Sequence, residues 1–329
     1  MIDFELTVQP VLSRTEVFRD ETLRTDRARQ EAGWPSAQLV VVDDKGRTPV
    51  EWSDSPTSGF QVGDAGSWDV GHGSSARLKT RATSGATPTE GAVLLGESDG
   101  VAYWAVRGKP DLLAGDDPAE WTDLRMAGAV LDPLGAGLFT TAAAVLNWHD
   151  TARFCARDGS PTSVAYAGWH RHCEASGHEE YPRTDPSMIC LVHDGTDGDQ
   201  ARILLARQPT WPEGRFTVLA GFVEAGESLE ACVARVVHEE VGVDVHDVRY
   251  LGSQAWPFPR SLMVAFHATA DPEAPLVPAE GEIAEAMWIT RDQLRGALKD
   301  GDWGASGATL LLPGKVSIAR AMLDSWAAL

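Results

Sequence analysis

Residues 219–243 read Leu219-Ala220-Gly221-Phe222-Val223-Glu224-Ala225-Gly226-Glu227-Ser228-Leu229-Glu230-Ala231-Cys232-Val233-Ala234-Arg235-Val236-Val237-His238-Glu239-Glu240-Val241-Gly242-Val243. Apolar side chains fall at 229, 232, 233, 236 and 237, the stripe of an amphipathic helix. The helix is predicted over Ser228 to Val241, with Gly242 stopping it in the left-handed conformation. The next member of the stripe, position 240, is a glutamate. Burying an unpaired carboxylate costs several kcal/mol or forces it neutral, so Glu240 needs a partner. Arg235 and Glu239 stand four apart and are expected to pair along the neighbouring row, leaving Glu240 free for a cation. Glu227, ahead of the helix, is expected to fold towards the same place. Clustered carboxylate oxygens suit Mg²⁺ or Mn²⁺, which bridge to substrate phosphates.

Outward from this segment the pattern is mixed. Met188 to Val192, Arg202 to Ala206 and Phe216 to Leu219 read as strands before the helix, and Val243 to Leu251 and Ser261 to Ala268 as strands after it. Arg291 to Leu298 and Lys315 to Trp326 read as helices, so the second half is α+β. Gly137 to Arg153 is a further helix, leading into a loop-rich stretch at 154–186. The first half is β-rich. Gln38 to Val42 and Thr48 to Trp52 look like a strand and its return, and Ala92 to Gly96 and Val101 to Val106 like a hairpin. Residues 53–91 read as long loops around one or two short strands, and Glu21 to Arg29 as a polar helix or arm.

The chain has 329 residues, enough for two domains at roughly 150 residues each. Its 28 Lys and Arg against 48 Asp and Glu leave a net charge of −20, which argues against holding nucleic acid by general phosphate neutralisation. A phosphate-bearing ligand must then be met by a local cation. No apolar run reaches membrane-spanning length and the first residues lack a secretory pattern. Four cysteines in such a length are no disulfide framework, so a cytoplasmic, reduced protein is expected.

A second motif follows the helix. Ser253-Gln254-Ala255-Trp256-Pro257-Phe258-Pro259-Arg260-Ser261 has prolines on both sides of Phe258, so it is expected to be a stiff loop rather than a central strand. Trp256 and Phe258 are then rings that can cover an adenine or a nicotinamide. A loop packed for structure alone is the plainer reading.

Gly221, Glu227, Arg235, Glu239, Glu240 and Gly242 stand at the spacing of the Nudix box, and the segment resembles it. One position departs: the glutamate that the box has directly after Arg235 is Val236. Residues 253–261 resemble the signature of the NADH pyrophosphatase branch of Nudix hydrolases, with Ala255 in place of a proline. The resemblance implies a Nudix α/β/α sandwich at 187–329, a β-rich N-terminal domain at 1–150 and a short zinc-ribbon-like linker at 151–186. It implies Glu239 and Glu240 as catalytic groups, and the Ala220 carbonyl, Glu239, Glu240 and Glu282 as holders of Mg²⁺ or Mn²⁺. It further implies Arg125, Tyr181, Gln254, Ala255, Trp256, Pro257, Phe258, Pro259, Arg260, Ser261 and Ser317 as substrate-binding residues.

The branch carries two Cys-x-x-Cys pairs between its domains. Here they read Cys155-Ala156-Arg157-Asp158 and Cys173-Glu174-Ala175-Ser176. Cys155, Asp158, Cys173 and His178 form a substitute zinc set, or else the ribbon has lost its metal and is held by Trp169, Tyr181 and hydrogen bonds. Cys190 and Cys232 read as core residues. The implied reaction is hydrolysis of the diphosphate of NAD(H) to nicotinamide mononucleotide and AMP, with removal of an NAD cap from RNA 5′ ends as a related activity. Val236 keeps open a protein that binds or senses NAD(H) without cleaving it, and a Nudix enzyme for another nucleoside diphosphate compound is a further alternative. A homodimer is implied by the resemblance.

Overall fold

The computed structural model describes residues 4–53, 75–108, 120–303, 305 and 309–329. The helical arm is two short helices, α1 (Glu21–Thr25) and α2 (Arg27–Gly33), each capped by an aspartate, Asp20 and Asp26. The N-terminal strands are β1 (Gln38–Val42), β2 (Arg47–Trp52), β3 (Ala76–Leu78), β4 (Arg81–Ala82), β5 (Val93–Ser98), β6 (Val101–Arg107) and β7 (Glu120–Asp123). They form two sheets, in the order β4-β1-β6-β5 and β3-β2-β7. The expected pairing of 38–42 with 48–52 is therefore wrong. The chain turns at Asp43 to Arg47, but β1 lies parallel to β6 while β2 crosses to the other sheet. Two β-branched runs around a turn do not reveal which distant strands will cover them. Of the loop stretch at 53–91, residues 54–74 lie outside the described residues.

Helix α3 (Leu124–Ala127) precedes α4 (Pro133–Thr151), which starts four residues earlier than its apolar pattern suggests because Asp132 caps it and Pro133 opens it. One core gathers both sheets against α4 through Val40, Val93, Val50, Leu78, Phe139, Ala142 and Leu146. The stretch at 154–186 is less irregular than expected. It holds a small antiparallel sheet of β8 (Thr162–Ala165), β9 (His170–Cys173) and β10 (Glu179–Glu180).

The C-terminal sheet contains β11 (Asp185–His193), β12 (Arg202–Arg207), β13 (Leu219–Phe222), then β14 (Val245–Trp256), β15 (Ser261–Ala270) and β16 (Glu285–Thr290), ordered β14-β15-β11-β12-β16 with β13 also on β11. Between β13 and β14 runs α5 (Leu229–Val241), and α6 (Arg291–Asp300) and α7 (Ile318–Ala327) end the chain. Alternation sends Ile189, Leu191, Ile203 and Leu205 towards α6 and α7, and Met188, Cys190, Val192 and Leu204 towards α5. Both faces of the sheet are thus covered by helix, the α/β/α sandwich. The strand expected at 216–219 lies three residues later, at Leu219–Phe222, and Thr217 makes only an isolated bridge to Ala206.

Candidate active site

The box helix is built as its sequence asks. Ser228 accepts the N–H of Ala231 at 3.2 Å, and Gly242 closes the other end at φ 77°. Cys232, Val233, Val236 and Val237 are buried against the sheet. Glu240 continues that face and is only half-buried.

Tertiary contacts decide what reaches Glu240. The segment after β15 returns alongside the end of α5. Val277 N–H donates to the Val241 carbonyl and Ala279 N–H to the Glu240 carbonyl, both at 2.9 Å. The chain then turns on the Ala279 carbonyl, which accepts the N–H groups of Glu282 and Ile283. This brings Glu282 into the electrostatic neighbourhood of Glu240. Burial pushes the Glu240 carboxyl up to about 7, and the charges of Glu282 and Glu239 push it the same way. No hydrogen bond or ion pair serves that carboxylate among the described residues. A half-buried acid facing two like charges is a donor set that fits a divalent cation.

Glu227 does something else. Its carboxylate takes a two-point pair from Arg235, at 2.7 and 2.8 Å, and its acidity is strengthened to a pKa of about 2 by that guanidinium. Arg235 also holds Glu239 at 2.9 Å and the Phe222 carbonyl at 3.0 Å. The expectation that Glu227 turns towards the cation is therefore corrected. It staples the loop after β13 to the helix, because a fixed guanidinium lies nearer than any carboxylate cluster. The expected Arg235–Glu239 pair is present.

Val236 is 4% exposed and lies on the backbone of β13. A Cβ at Gly221 would come within 2.6 Å of a Val236 methyl, so the helix can approach this closely only over a glycine. The side chain at 236 thus points at the stretch Ala220–Gly221, where Ala220 is paired with Ile189 of β11.

The aromatic motif leaves the same end of the sheet as the box. Asp185 pairs with Ser261 and Ser187 with Phe222, so β11 begins between the end of β13 and the start of β15. Arg260 binds Asp185 at 2.7 Å beside this junction. Ser253 to Trp256 are not loop, as expected from the prolines, but the end of β14. Ala255 pairs with Leu262 and Trp256 with Ser261, so only Pro257 to Arg260 make the turn. The prolines fall just past the ladder, where the sheet needs no donor. The Phe258–Pro259 peptide is cis.

The two rings are half-buried, meet edge to face at 4.8 Å, and lean on the N-terminal core. The Arg125 guanidinium lies over Phe258 at 3.7 Å. Gln254 is 1% exposed, its amide spent on the Leu12 N–H at 3.4 Å and the Val316 carbonyl at 3.1 Å. Ser317 caps α7 through the Ala319 N–H at 3.2 Å. Tyr181 is exposed and bonded to Glu179, with its ring against His170. Asn147 of α4, which no sequence pattern singles out, donates to the Pro257 carbonyl at 3.2 Å from 110 residues away.

In the ribbon, Cys155, Asp158 and Cys173 bring ligand atoms within 4.8 Å of one another. His178 is not among them; its imidazole faces Glu180 at 3.3 Å, which removes the histidine from the expected zinc set. The fourth corner is Ser176, whose hydroxyl lies 3.7 Å from the Cys155 sulfur. The spacing alone points to it, since 173–176 repeats 155–158. The two turns match bond for bond. Cys155 N–H donates to Ser160 and Gly159 N–H to Cys155, and Cys173 N–H donates to His178 and Gly177 N–H to Cys173. Two thiols, one carboxylate and a hydroxyl are not the closed set of four nitrogen or sulfur ligands that structural zinc prefers. Trp169, bonded to the Leu94 carbonyl at 2.7 Å and covered by Arg24, docks the ribbon on the N-terminal sheet.

Comparison with known proteins agrees with this layout. The NUDIX domain profile matches residues 183–310, the NADH pyrophosphatase zinc ribbon profile 150–181, and the NADH pyrophosphatase-like rudimentary NUDIX profile 36–148. The chain belongs to the NADH pyrophosphatase branch of the Nudix hydrolases. It is 49% identical over 330 residues to the NAD-capped RNA hydrolase NudC of Mycobacterium tuberculosis (strain ATCC 25618 / H37Rv), covering 99% of this chain and 97% of the relative. It is 41% identical over 209 residues to the mitochondrial NAD(P)H pyrophosphatase NUDT13 of Mus musculus, covering 62% of this chain and 58% of that one. A Nudix hydrolase crystal structure from Nitrosomonas europaea aligns at a TM-score of 0.35 and 20% identity, covering 42% of this chain and 77% of that one.

Proposed function

We propose that this chain hydrolyses the diphosphate of NAD(H) to nicotinamide mononucleotide and AMP, and removes the NAD cap from RNA 5′ ends by the same chemistry. The observation that carries the reading is the Glu240 carboxyl, raised by burial and by Glu282 and Glu239, on the helix whose Val236 packs over Gly221 of β13. The names of the relatives at 49% and 41% identity supply the substrate class.

Glu239, Glu240 and Glu282, with the Ala220 carbonyl, would hold Mg²⁺ or Mn²⁺. Such an ion, when bound, would supply charge neutralisation of the diphosphate and a more acidic water. Trp256 and Phe258 cover a ring of the dinucleotide, with Arg125, Tyr181 and the turn Pro257–Ser261 around it. Gln254 and Ser317 act by fixing the strand and helix behind that surface. Water adds to one phosphorus, the bridging P–O bond breaks, and two phosphate monoesters leave. The proton of the water passes to Glu240 or Glu239. The parts are 1–150 and 151–186 as support and 187–329 as the catalytic domain, working as a homodimer. Four free cysteines fit a reducing, cytoplasmic setting, and no described helix is long and apolar enough to cross a membrane.

Val236 favours the other reading, a protein that binds NAD(H) without cleaving it. A product assay for nicotinamide mononucleotide and AMP from NADH, with and without Mn²⁺, decides between them. Metal-dependent cleavage by the chain as it stands supports hydrolysis. Cleavage that appears only in Val236→Glu supports the binder. Faster cleavage of ADP-ribose than of NADH would overturn the substrate assignment.

A further inference from the structure

The turn that carries Phe258 is held from both sides. On the sheet side Arg260 binds Asp185 at 2.7 Å, and the Asp185 N–H donates to the Arg260 carbonyl at 3.0 Å. On the other side Asn147, at the last turns of α4, grips the turn from the N-terminal half. Its amide orientation is fixed by chemistry. Arg107 Nη2, which can only donate, lies 2.7 Å from one end, so that end is the oxygen. The other end is then the NH₂ group, and it donates to the Pro257 carbonyl at 3.2 Å. Arg107 is itself held by Asp150 at 2.6 Å and the Asp43 carbonyl at 2.9 Å. The relay Asp150–Arg107–Asn147–Pro257 therefore runs from the sheet and helix of the N-terminal half into the peptide unit between Trp256 and Phe258. Asparagine is a poor helix former, and here its side chain is used at both ends.

We propose that Asn147 is a positioning residue for the dinucleotide. It touches no substrate and acts through the Pro257 carbonyl to set where the Trp256 and Phe258 rings stand. The proposal rests on the reading of that turn as the substrate platform.

The test is three variants of the full chain, read by NADH affinity (fluorescence titration in Mn²⁺), by kcat and by thermal midpoint. Asn147→Asp keeps an acceptor for Arg107 but offers the Pro257 carbonyl an acceptor instead of a donor. It is expected to weaken NADH binding about tenfold, the scale of one lost hydrogen bond, with kcat within about threefold and the midpoint unchanged. Asn147→Ala is expected to weaken binding as much and to lower the midpoint, because Arg107 also loses one of its acceptors. Trp256→Ala must weaken binding in the same assay. If Trp256→Ala weakens binding and Asn147→Asp does not, the role of Asn147 is structural only and the proposal is overturned. If Trp256→Ala leaves NADH affinity unchanged, the platform reading fails and the proposal falls with it.

Discussion

At the ribbon, the places of two thiols hold Asp158 and Ser176; at the Nudix helix, the place of one carboxylate holds Val236. The replacements are opposite in kind, and their surroundings explain why. The ribbon is a thin module of short strands, with Cys155 and Cys173 buried and Asp158 exposed. It has little apolar volume to bury, so polar side chains fill its corners. Asp158 accepts the Ser160 N–H at 2.8 Å and stands 3.7 Å from the Cys173 sulfur. Position 236 faces the sandwich core, over Gly221. There a valine gains about 1.5–3 kcal/mol of burial and leaves no polar group unmatched. The lesson is that a lost ligand is replaced by whatever the local environment can satisfy: hydrogen bonds where water is close, packing where it is not.

The comparison is sharpened first at Glu240. If this carboxylate is the one the helix offers to the cation, Glu240→Gln lowers metal-dependent NADH cleavage by about 10²–10⁴-fold in a product assay. A smaller loss would shift the role to Glu239.

Next comes the valine. Val236→Glu is expected to raise Mn²⁺ affinity by about 10–100-fold, read by metal titration. The same change lowers the stability of the metal-free protein by about 1–3 kcal/mol in urea unfolding, since it overfills the contact with Gly221 and buries a charge. A variant that gains no metal affinity would break the contrast between the two regions.

The ribbon is tested by restoring thiols. Wild-type protein is expected to purify without stoichiometric zinc and to keep its thermal midpoint in chelator. The double variant Asp158→Cys with Ser176→Cys is expected to bind one zinc per ribbon, counted by elemental analysis, and to lose midpoint when chelated. Zinc retained by the wild type would show that Cys155, Asp158, Cys173 and Ser176 suffice as ligands.

The smallest effect is in pH. Glu240 has its folded pKa raised from 4.5 to about 7, so the folded state binds the extra proton between these values. Metal-free stability is therefore expected to fall as pH rises from about 4.5 to 7 and then level, by roughly 1–3 kcal/mol for this group. Glu240→Gln removes that slope, and Mn²⁺ opposes it in the wild type. Glu227 runs the other way: its stabilising pair with Arg235 is complete above pH 4.5 and is lost only as pH falls towards about 2.

Much of the site was legible because its parts are local. The helix, its serine cap, its glycine stop and the Arg235–Glu239 pair all follow from spacings of four residues or fewer. Glu227 departs from its expected place because its partner is fixed only once the loop after β13 folds back on Arg235. The aromatic motif is only partly loop: proline forbids a ladder bond, yet the ladder ends one residue before the first proline. His178 stands in the expected zinc set, whereas the repeat of the first turn points to Ser176.

The helix of the box, the residues on its buried face, the departure at Val236 and the acidic balance that makes a cation necessary for any phosphate ligand are all written in the order of the amino acids. Periodicity and short-range spacing carry these, and they need no partner. Folding alone brings Glu282 to Glu240, lays the Val236 side chain on Gly221, and lets Asn147 and Arg125 of one half hold Pro257 and Phe258 of the other. Those contacts join residues far apart in the chain, and their energies exist only after the sheets and helices that carry them have packed.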